Sequence, residues 1–97
     1  MYGPDYALHS NKYFKMRILP KLLDEQSAAF RYHSCKFRVE KAKLSTARVV
    51  VNREFGVMSC FTLEASMHGY IAEDRKTQEL TCEELVGVGV SLGQCFN

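Results

Sequence analysis

Apolar and polar residues follow a strand-like pattern in two stretches of the chain. Residues 34–40 alternate between the two types, which would place Phe37 and Val39 on one side of a strand and charged residues on the other. Residues 57–64 carry no charge before Glu64 and are rich in residue types that favour strands. We therefore predict strands over both stretches, with Glu64 at the end of the second. On its position alone, a strand that ends at a solvated Glu64 is the simpler interpretation, and the alternative is a carboxylate at the edge of a buried sheet.

Capping signals predict a helix near each end of the chain. Residues 1–13 have the turn signals of a loop, and Pro20 suits the first turn of a short helix over residues 21–25. Near the other end, Thr81 precedes an apolar periodic run and Glu84 follows three residues later. That spacing is typical of a capping box, so the last helix should begin there.

Residues 48–55 carry conflicting signals. Three consecutive valines at residues 49–51 favour a strand, because branched side chains pack well on a pleated surface. Ser45 or Thr46 as an N-cap, and Gly56 as a stop, favour a helix instead. The pattern alone leaves both alternatives open. Residues 67–78 contain mostly polar types and are predicted to form a loop.

The composition is that of an ordinary globular protein, with 46% hydrophobic and 25% charged residues. No apolar run approaches the length of about 20 residues that a membrane span needs, and the N-terminus lacks the layout of a signal peptide. We therefore expect a cytoplasmic protein. Its four cysteines are scattered without a Cys-x-x-Cys pair, which favours reduced thiols in or near the core over disulfides.

The net charge of +2 conceals an uneven distribution. Residues 31–54 hold seven basic side chains against two acidic ones, whereas residues 64–84 hold six acidic side chains against two basic ones. For most of the basic residues a solvated face is the simpler interpretation. A nucleic-acid surface is the alternative, but the pI of about 8.4 is modest and the core needs Phe37.

Several short motifs occur in a fixed order along nearly the whole chain. They are Tyr2-Gly3, Ser34-Cys35-Lys36-Phe37-Arg38-Val39-Glu40-Lys41-Ala42-Lys43, Thr46-Ala47-Arg48-Val49-Val50, Arg53-Glu54 and Phe61-Thr62-Leu63-Glu64-Ala65. In order and spacing they resemble the last third of a zinc metallocarboxypeptidase catalytic domain. The resemblance is to the cytosolic carboxypeptidase branch, whose members include the tubulin deglutamylases.

The resemblance implies an α/β fold, a mixed sheet with helices packed on it. Residues 1–97 would form the C-terminal third of the catalytic domain, without an internal boundary. It also favours the helical alternative for residues 48–55, which places Arg48 in the first turn, facing the site. One departure is Asn52, where the family usually has Trp.

The resemblance also assigns roles to two residues. Glu64 matches the catalytic glutamate, which takes a proton from the attacking water and passes it to the leaving amine. Arg48 matches the basic residue of a specificity pocket that would pair with a substrate carboxylate. The implied cofactor is Zn²⁺ with two His ligands and one Glu ligand, from a His-x-x-Glu pair and a further His upstream. Since His9, His33 and His68 are not followed by Glu at the third position, we expect no metal ligand in this chain.

The implied function is hydrolysis of C-terminal or side-chain glutamates on acidic protein tails such as those of tubulin, with no nucleic acid or membrane as partner. Lys41 and Lys43 could add positive field for such a tail, although solvated side chains are the simpler interpretation. Two alternatives stay open. One is a catalytically dead remnant that binds acidic peptides without zinc, and the other is a basic nucleic-acid-binding module.

Overall fold

Three α-helices make up most of the regular structure in the computed structural model of the chain. The described residues are 1–65, 70–71, 77–78 and 80–96. The helices are α1 (Asn11–Gln26), α2 (Ala47–Phe55) and α3 (Cys82–Gln94), with short 3₁₀ turns at Tyr32–Ser34 and Lys41–Lys43. The strands are β1 (Tyr70–Ile71) and β2 (Thr77–Gln78). No helix in this part of the chain combines the length and apolarity needed to cross a bilayer.

Helix α1 begins much earlier than Pro20, so both the predicted loop over residues 1–13 and the short helix over residues 21–25 are wrong in extent. The Ser10 hydroxyl accepts a hydrogen bond from the Lys12 N–H at 3.3 Å and caps the helix. Pro20 lies inside the helix and is buried. The helix tolerates it because Met16, Pro20 and Leu23 share one buried face at helical spacing, and burial offsets the missing hydrogen bond.

Helix α2 confirms the helical alternative for residues 48–55. Gly56 ends it in the left-handed conformation at φ 68°, and its N–H donates to the Val51 carbonyl. At the other end, Thr46 is the N-cap residue, but its hydroxyl donates to the Lys43 carbonyl at 2.7 Å and does not cap the helix. Val49 is the residue through which α2 is anchored in the core.

Helix α3 begins as the capping box predicts. The Glu84 N–H donates to the Thr81 hydroxyl at 3.2 Å, and the Thr81 N–H donates to the Glu84 carboxylate at 3.3 Å. The helix packs on α1, and the Ser91 hydroxyl donates to the Gln26 carbonyl at 3.4 Å. The contact leaves Val86 and Val90 of α3 in solvent, at 67% and 57% exposure.

The predicted α/β mixed sheet is wrong. In the part of the chain that the structure describes, the one sheet is the antiparallel pair of β1 and β2, with Tyr70 opposite Gln78 and Ile71 opposite Thr77. Neither residues 34–40 nor residues 57–64 form a strand; each pairs through a single residue bridge. Residues that favour strands form one only when a neighbouring strand pairs with them along several positions. Each of these two stretches is paired at a single position.

The polar loop predicted over residues 67–78 lies mostly outside the described residues. Its described parts are β1 and β2, which pair with each other across it. The prediction of a simple loop is therefore wrong at those four positions. Residues 66–69 and 72–76, which include His68, Glu73 and Asp74, lie outside the described part of the chain.

The core is small compared with the apolar surface. The buried hydrophobic residues are Met16, Leu23, Phe30, Val49 and Cys60. By contrast, Phe14, Ile18 and Phe96 are each more than half exposed. An open, mainly apolar groove of about 380 Å³ lies between α1, residues 58–61 and the end of α3. Such surface is unfavourable in water and favours association or incomplete packing.

We expect the isolated chain to lack a cooperative thermal transition. Its buried apolar side chains are few for the entropy that ordering the chain costs. Far-UV circular dichroism should fall gradually with temperature, and the near-UV signal of the tyrosines should be weak. A sharp sigmoidal melt that coincides at both wavelengths would contradict this expectation.

Candidate functional site

Three segments that are far apart in sequence meet at Tyr2. The Tyr2 N–H donates to the Thr62 carbonyl at 2.8 Å, and the Thr62 N–H donates back to the Tyr2 carbonyl at 2.9 Å. On the other side, the Gly3 N–H donates to the Lys36 carbonyl at 2.9 Å and the Lys36 N–H donates to the Met1 carbonyl at 3.0 Å. We call the paired residues Tyr2, Lys36 and Thr62 the Tyr2 junction.

Arg48 lies over this junction. It is in the first turn of α2 and half-buried, and its guanidinium carbon is 5.5 Å from the centroid of the Tyr2 ring. Its Nη1 atom donates to the Gly3 carbonyl at 3.5 Å, a long and therefore weak hydrogen bond. A guanidinium carries five N–H donors in a planar fork, a geometry that matches a carboxylate.

Glu64 follows the junction along the chain. It lies two residues after Thr62 and is exposed. The alternative of a carboxylate at the edge of a buried sheet is therefore wrong, because residues 57–64 form no strand. The exposed side chain agrees instead with the simpler interpretation of a solvated Glu64. Arg48 contacts the ring of Tyr2, and the segment leading to Glu64 is bonded to the backbone of the same residue.

Gly3 is at the closest packing point of the site. It is buried, and a Cβ atom at this position would lie 2.7 Å from two ring carbons of Phe37 and 3.1 Å from the Phe61 ring. Real Cβ contacts are longer than 2.7 Å, so a side chain here would force the rings or the backbone to move. Glycine thus allows the Phe37 ring to lie directly against the backbone that holds Arg48.

Asn52 connects α2 to the segment that leads to Glu64. Its side-chain amide donates to the Tyr6 hydroxyl at 2.8 Å and to the Val57 carbonyl at 2.9 Å. The sequence identified Asn52 only as a departure from the usual Trp, and nothing in the local pattern indicated these bonds. The amide occupies its two donors on groups from different segments, so it fixes the position of the chain after α2.

The cysteines offer no obvious nucleophile at this site. All four are free thiols: Cys60 is buried, Cys35 and Cys95 are half-buried, and Cys82 is exposed. The prediction of thiols in or near the core is thus wrong for Cys82. Burial raises the pKa of the Cys35 thiol; the Met1 ammonium opposes this shift and the Asp24 carboxylate adds to it. A raised pKa lowers the thiolate fraction at neutral pH, and the thiolate is the reactive form.

The described side chains do not fit a zinc ion. Across residues 1–65 and the described part of 70–96, no three His, Cys, Asp or Glu side chains lie close enough together to hold a metal. His9 and His33 are exposed on separate turns, and His68 lies outside the described residues. A zinc site would need at least three protein ligands converging on one point.

The basic residues of the segment after the junction face solvent. Lys36, Arg38, Lys41 and Lys43 are all exposed. A solvated face is the simpler interpretation that the sequence offered for them, and their exposure agrees with it. They add positive potential to the surface.

Comparison with known proteins identifies the family. Cytosolic carboxypeptidase 4 of Mus musculus is 55% identical over 53 residues, which are 55% of this chain and 5% of the relative. Cytosolic carboxypeptidase 1 of Gallus gallus is 44% identical over 73 residues, or 75% of this chain and 6% of the relative. The chain belongs to the cytosolic carboxypeptidase family. The resemblance inferred from the motifs is thereby confirmed.

A third relative extends the match along the chain. Cytosolic carboxypeptidase 2 of Danio rerio is 29% identical over 97 residues, which are 99% of this chain and 13% of the relative. No protein-family profile and no solved structure matches. The chain thus spans 5% and 6% of the length of the first two cytosolic carboxypeptidases, whose name places them among the hydrolases.

We expect Gly3→Ala to destabilise this carboxypeptidase segment. Overpacking against Phe37 should cost about 1–3 kcal/mol and lower the midpoint of thermal inactivation of the complete protein. Phe37→Leu in the same molecule should restore much of the loss, because it removes the ring atoms that the new methyl group meets. Gly87→Ala is the matched control, since a Cβ there meets no atom within 4 Å apart from its chain neighbours and the backbone of its own helix. Equal losses for the two alanine variants would contradict the packing described at Gly3.

Proposed function

We propose that this chain is a segment of a metallocarboxypeptidase catalytic domain that removes glutamates from acidic protein tails. The observation that carries the proposal is the Tyr2 junction, which links a half-buried arginine and an exposed carboxylate in a cytosolic carboxypeptidase. Arg48 lies on the ring of Tyr2 and Glu64 follows the segment bonded to its backbone. Hydrolysis of such a tail needs a group that binds the substrate carboxylate and a group that transfers a proton. Arg48 could be the first and Glu64 the second.

Arg48 would recognise the acidic side chain of the substrate. Its guanidinium carbon lies 5.5 Å from the centroid of the Tyr2 ring, and its Nη1 atom donates a hydrogen bond to the Gly3 carbonyl. Other N–H donors of the fork would bind the substrate carboxylate. A bidentate pair with a carboxylate adds geometric selectivity as well as energy. Apolar side chains would leave the guanidinium unpaired, which is the basis for discrimination between them.

Glu64 would act as the general base and acid of the hydrolysis. A carboxylate can take a proton from the attacking water and return it to the leaving amine, a contribution of about 10²–10⁴-fold. Its exposure leaves it accessible to solvent water and to a substrate. Zinc is proposed for the complete enzyme on family grounds, and its ligands would come from outside the described residues.

The proposed substrates are glutamate-rich tails such as those of tubulin, in the cytoplasm. The relatives are named cytosolic carboxypeptidases, which supports the location. The exposed Lys41 and Lys43 beside α2 would attract acidic chains over a distance of about 8–10 Å at physiological salt. This attraction predicts a substrate affinity that falls as salt rises.

In the complete enzyme, Glu64→Gln should abolish peptide cleavage while peptide binding persists. The amide keeps the shape of the carboxylate but cannot accept the proton, so kcat should fall by about 10²-fold or more. Turnover and equilibrium binding of one glutamate-ended peptide give the two measurements, and Glu54→Gln on α2 serves as a control that should leave both unchanged. Near-normal turnover would remove Glu64 from the chemistry. Binding without cleavage in the unmodified protein would instead favour the catalytically dead peptide-binding alternative.

Arg48→Ala should reduce kcat/KM on a glutamate-ended peptide by about 10–100-fold, the scale of a charge-assisted hydrogen bond. A leucine-ended peptide of otherwise identical sequence should lose little, because it makes no such bond. Arg53→Ala is the matched control, an exposed arginine near the other end of the same helix. Equal losses on both peptides would mean that Arg48 supports the fold or the terminal carboxylate, and not acidic specificity.

A further inference from the structure

Arg17 makes the tightest cation–aromatic arrangement among the described residues. Its guanidinium carbon is 3.6 Å from the Tyr13 ring centroid and 4.1 Å from the Phe37 ring centroid. Its Nη1 atom donates to the Tyr13 carbonyl at 2.8 Å, which fixes the orientation of the group on α1. Both ring distances are well inside the range of about 6 Å over which such attraction acts.

The Phe37 ring, which packs on Arg17, also packs against the backbone of Gly3. The ring lies so close to the Gly3 backbone that a Cβ atom would come within 2.7 Å of it. The carbonyl of Lys36, the residue before Phe37, accepts a hydrogen bond from the Gly3 N–H. The Gly3 carbonyl in turn accepts a hydrogen bond from the Nη1 atom of Arg48. Side-chain and backbone contacts thus form a continuous path from Arg17 on α1 to Arg48 on α2.

We propose that Arg17 is a positioning residue for Arg48 and hence a determinant of acidic specificity. Arg17 holds the Phe37 ring against Gly3. The carbonyl of Gly3 is the group that accepts the hydrogen bond from the Arg48 guanidinium. Without the cation the ring is free to leave Gly3, and the carbonyl shifts relative to Arg48. The inference rests on the proposed function, because it assigns Arg17 a role in the same pocket.

A purely structural role for Arg17 predicts a different result. The bond from Nη1 to the Tyr13 carbonyl lies within α1, so loss of Arg17 could simply weaken that helix. A weaker helix would lower the amount of folded enzyme and reduce turnover of every substrate by the same factor. A positioning role lowers turnover of acidic substrates selectively, so the ratio of two peptides separates the two roles.

The experiment measures kcat/KM of the complete enzyme on the peptide pair ending in Glu or Leu. Arg17→Leu should lower the Glu-over-Leu preference by about three- to tenfold, the scale of one cation–π contact, with the leucine-ended peptide little changed. Arg17→Lys keeps the charge and should retain part of the preference. Lys21→Leu is the matched control: Lys21 lies one turn further along α1, 5.6 Å from the centroid of the Tyr32 ring, and is outside the path to Arg48.

A double variant shows whether Arg17 acts through Arg48. In an Arg48→Ala background, Arg17→Leu should cause no further change in preference, because the residue it positions is gone. An unchanged preference in Arg17→Leu, an equal loss on both peptides, or an additive loss in the double variant would overturn the inference. If Arg48→Ala itself left the preference intact, the proposed function would fail instead. Should Arg17→Leu not fold, Phe37→Leu breaks the same path and should give the same selective loss.

Discussion

The backbone pairing at Tyr2 is the constraint on which the site depends. It joins the beginning of the chain to segments that lie far along the sequence, on one side through Lys36 and on the other through Thr62. Closing such long loops costs entropy, and each bridge contributes only two hydrogen bonds in return. Packing of Phe37 and Phe61 against Gly3 contributes as well. Interactions that keep this packing close therefore affect the position of Arg48.

Elements with local signals could be predicted from the sequence, and elements that need distant partners could not. The capping box marks the start of α3 and lies within a few residues of it. Gly56 ends α2, but the local signals around residues 48–55 left a strand open, and the family resemblance favoured the helix. A strand has no such local closure, because its hydrogen bonds go to another segment. Residues 34–40 and 57–64 have the right side chains, yet each is paired at a single position.

Pro20 shows how one residue can mislead a local argument. Proline is common in the first turn of a helix and costs about 3 kcal/mol in the interior, so Pro20 by itself predicts the start of a helix. The apolar residues Met16 and Leu23 on either side share its helical face and are buried. Weighing this periodicity over the proline, with Ser10 as the N-cap, would have predicted α1.

The same contrast applies within the site. Arg48 lies in the first turn of α2, as the motif and the helical alternative predict. Glu64 is exposed and not at a buried sheet edge, and the functional roles of both residues stay predictions. Arg17 lies in none of the sequence motifs. Its contact with the Phe37 ring forms only when the chain folds and brings that ring onto α1. Asn52 is recognised for the same reason by its bonds to Tyr6 and Val57. Residues that belong to a family motif can be named from the sequence, whereas residues that act through packing depend on contacts between distant segments.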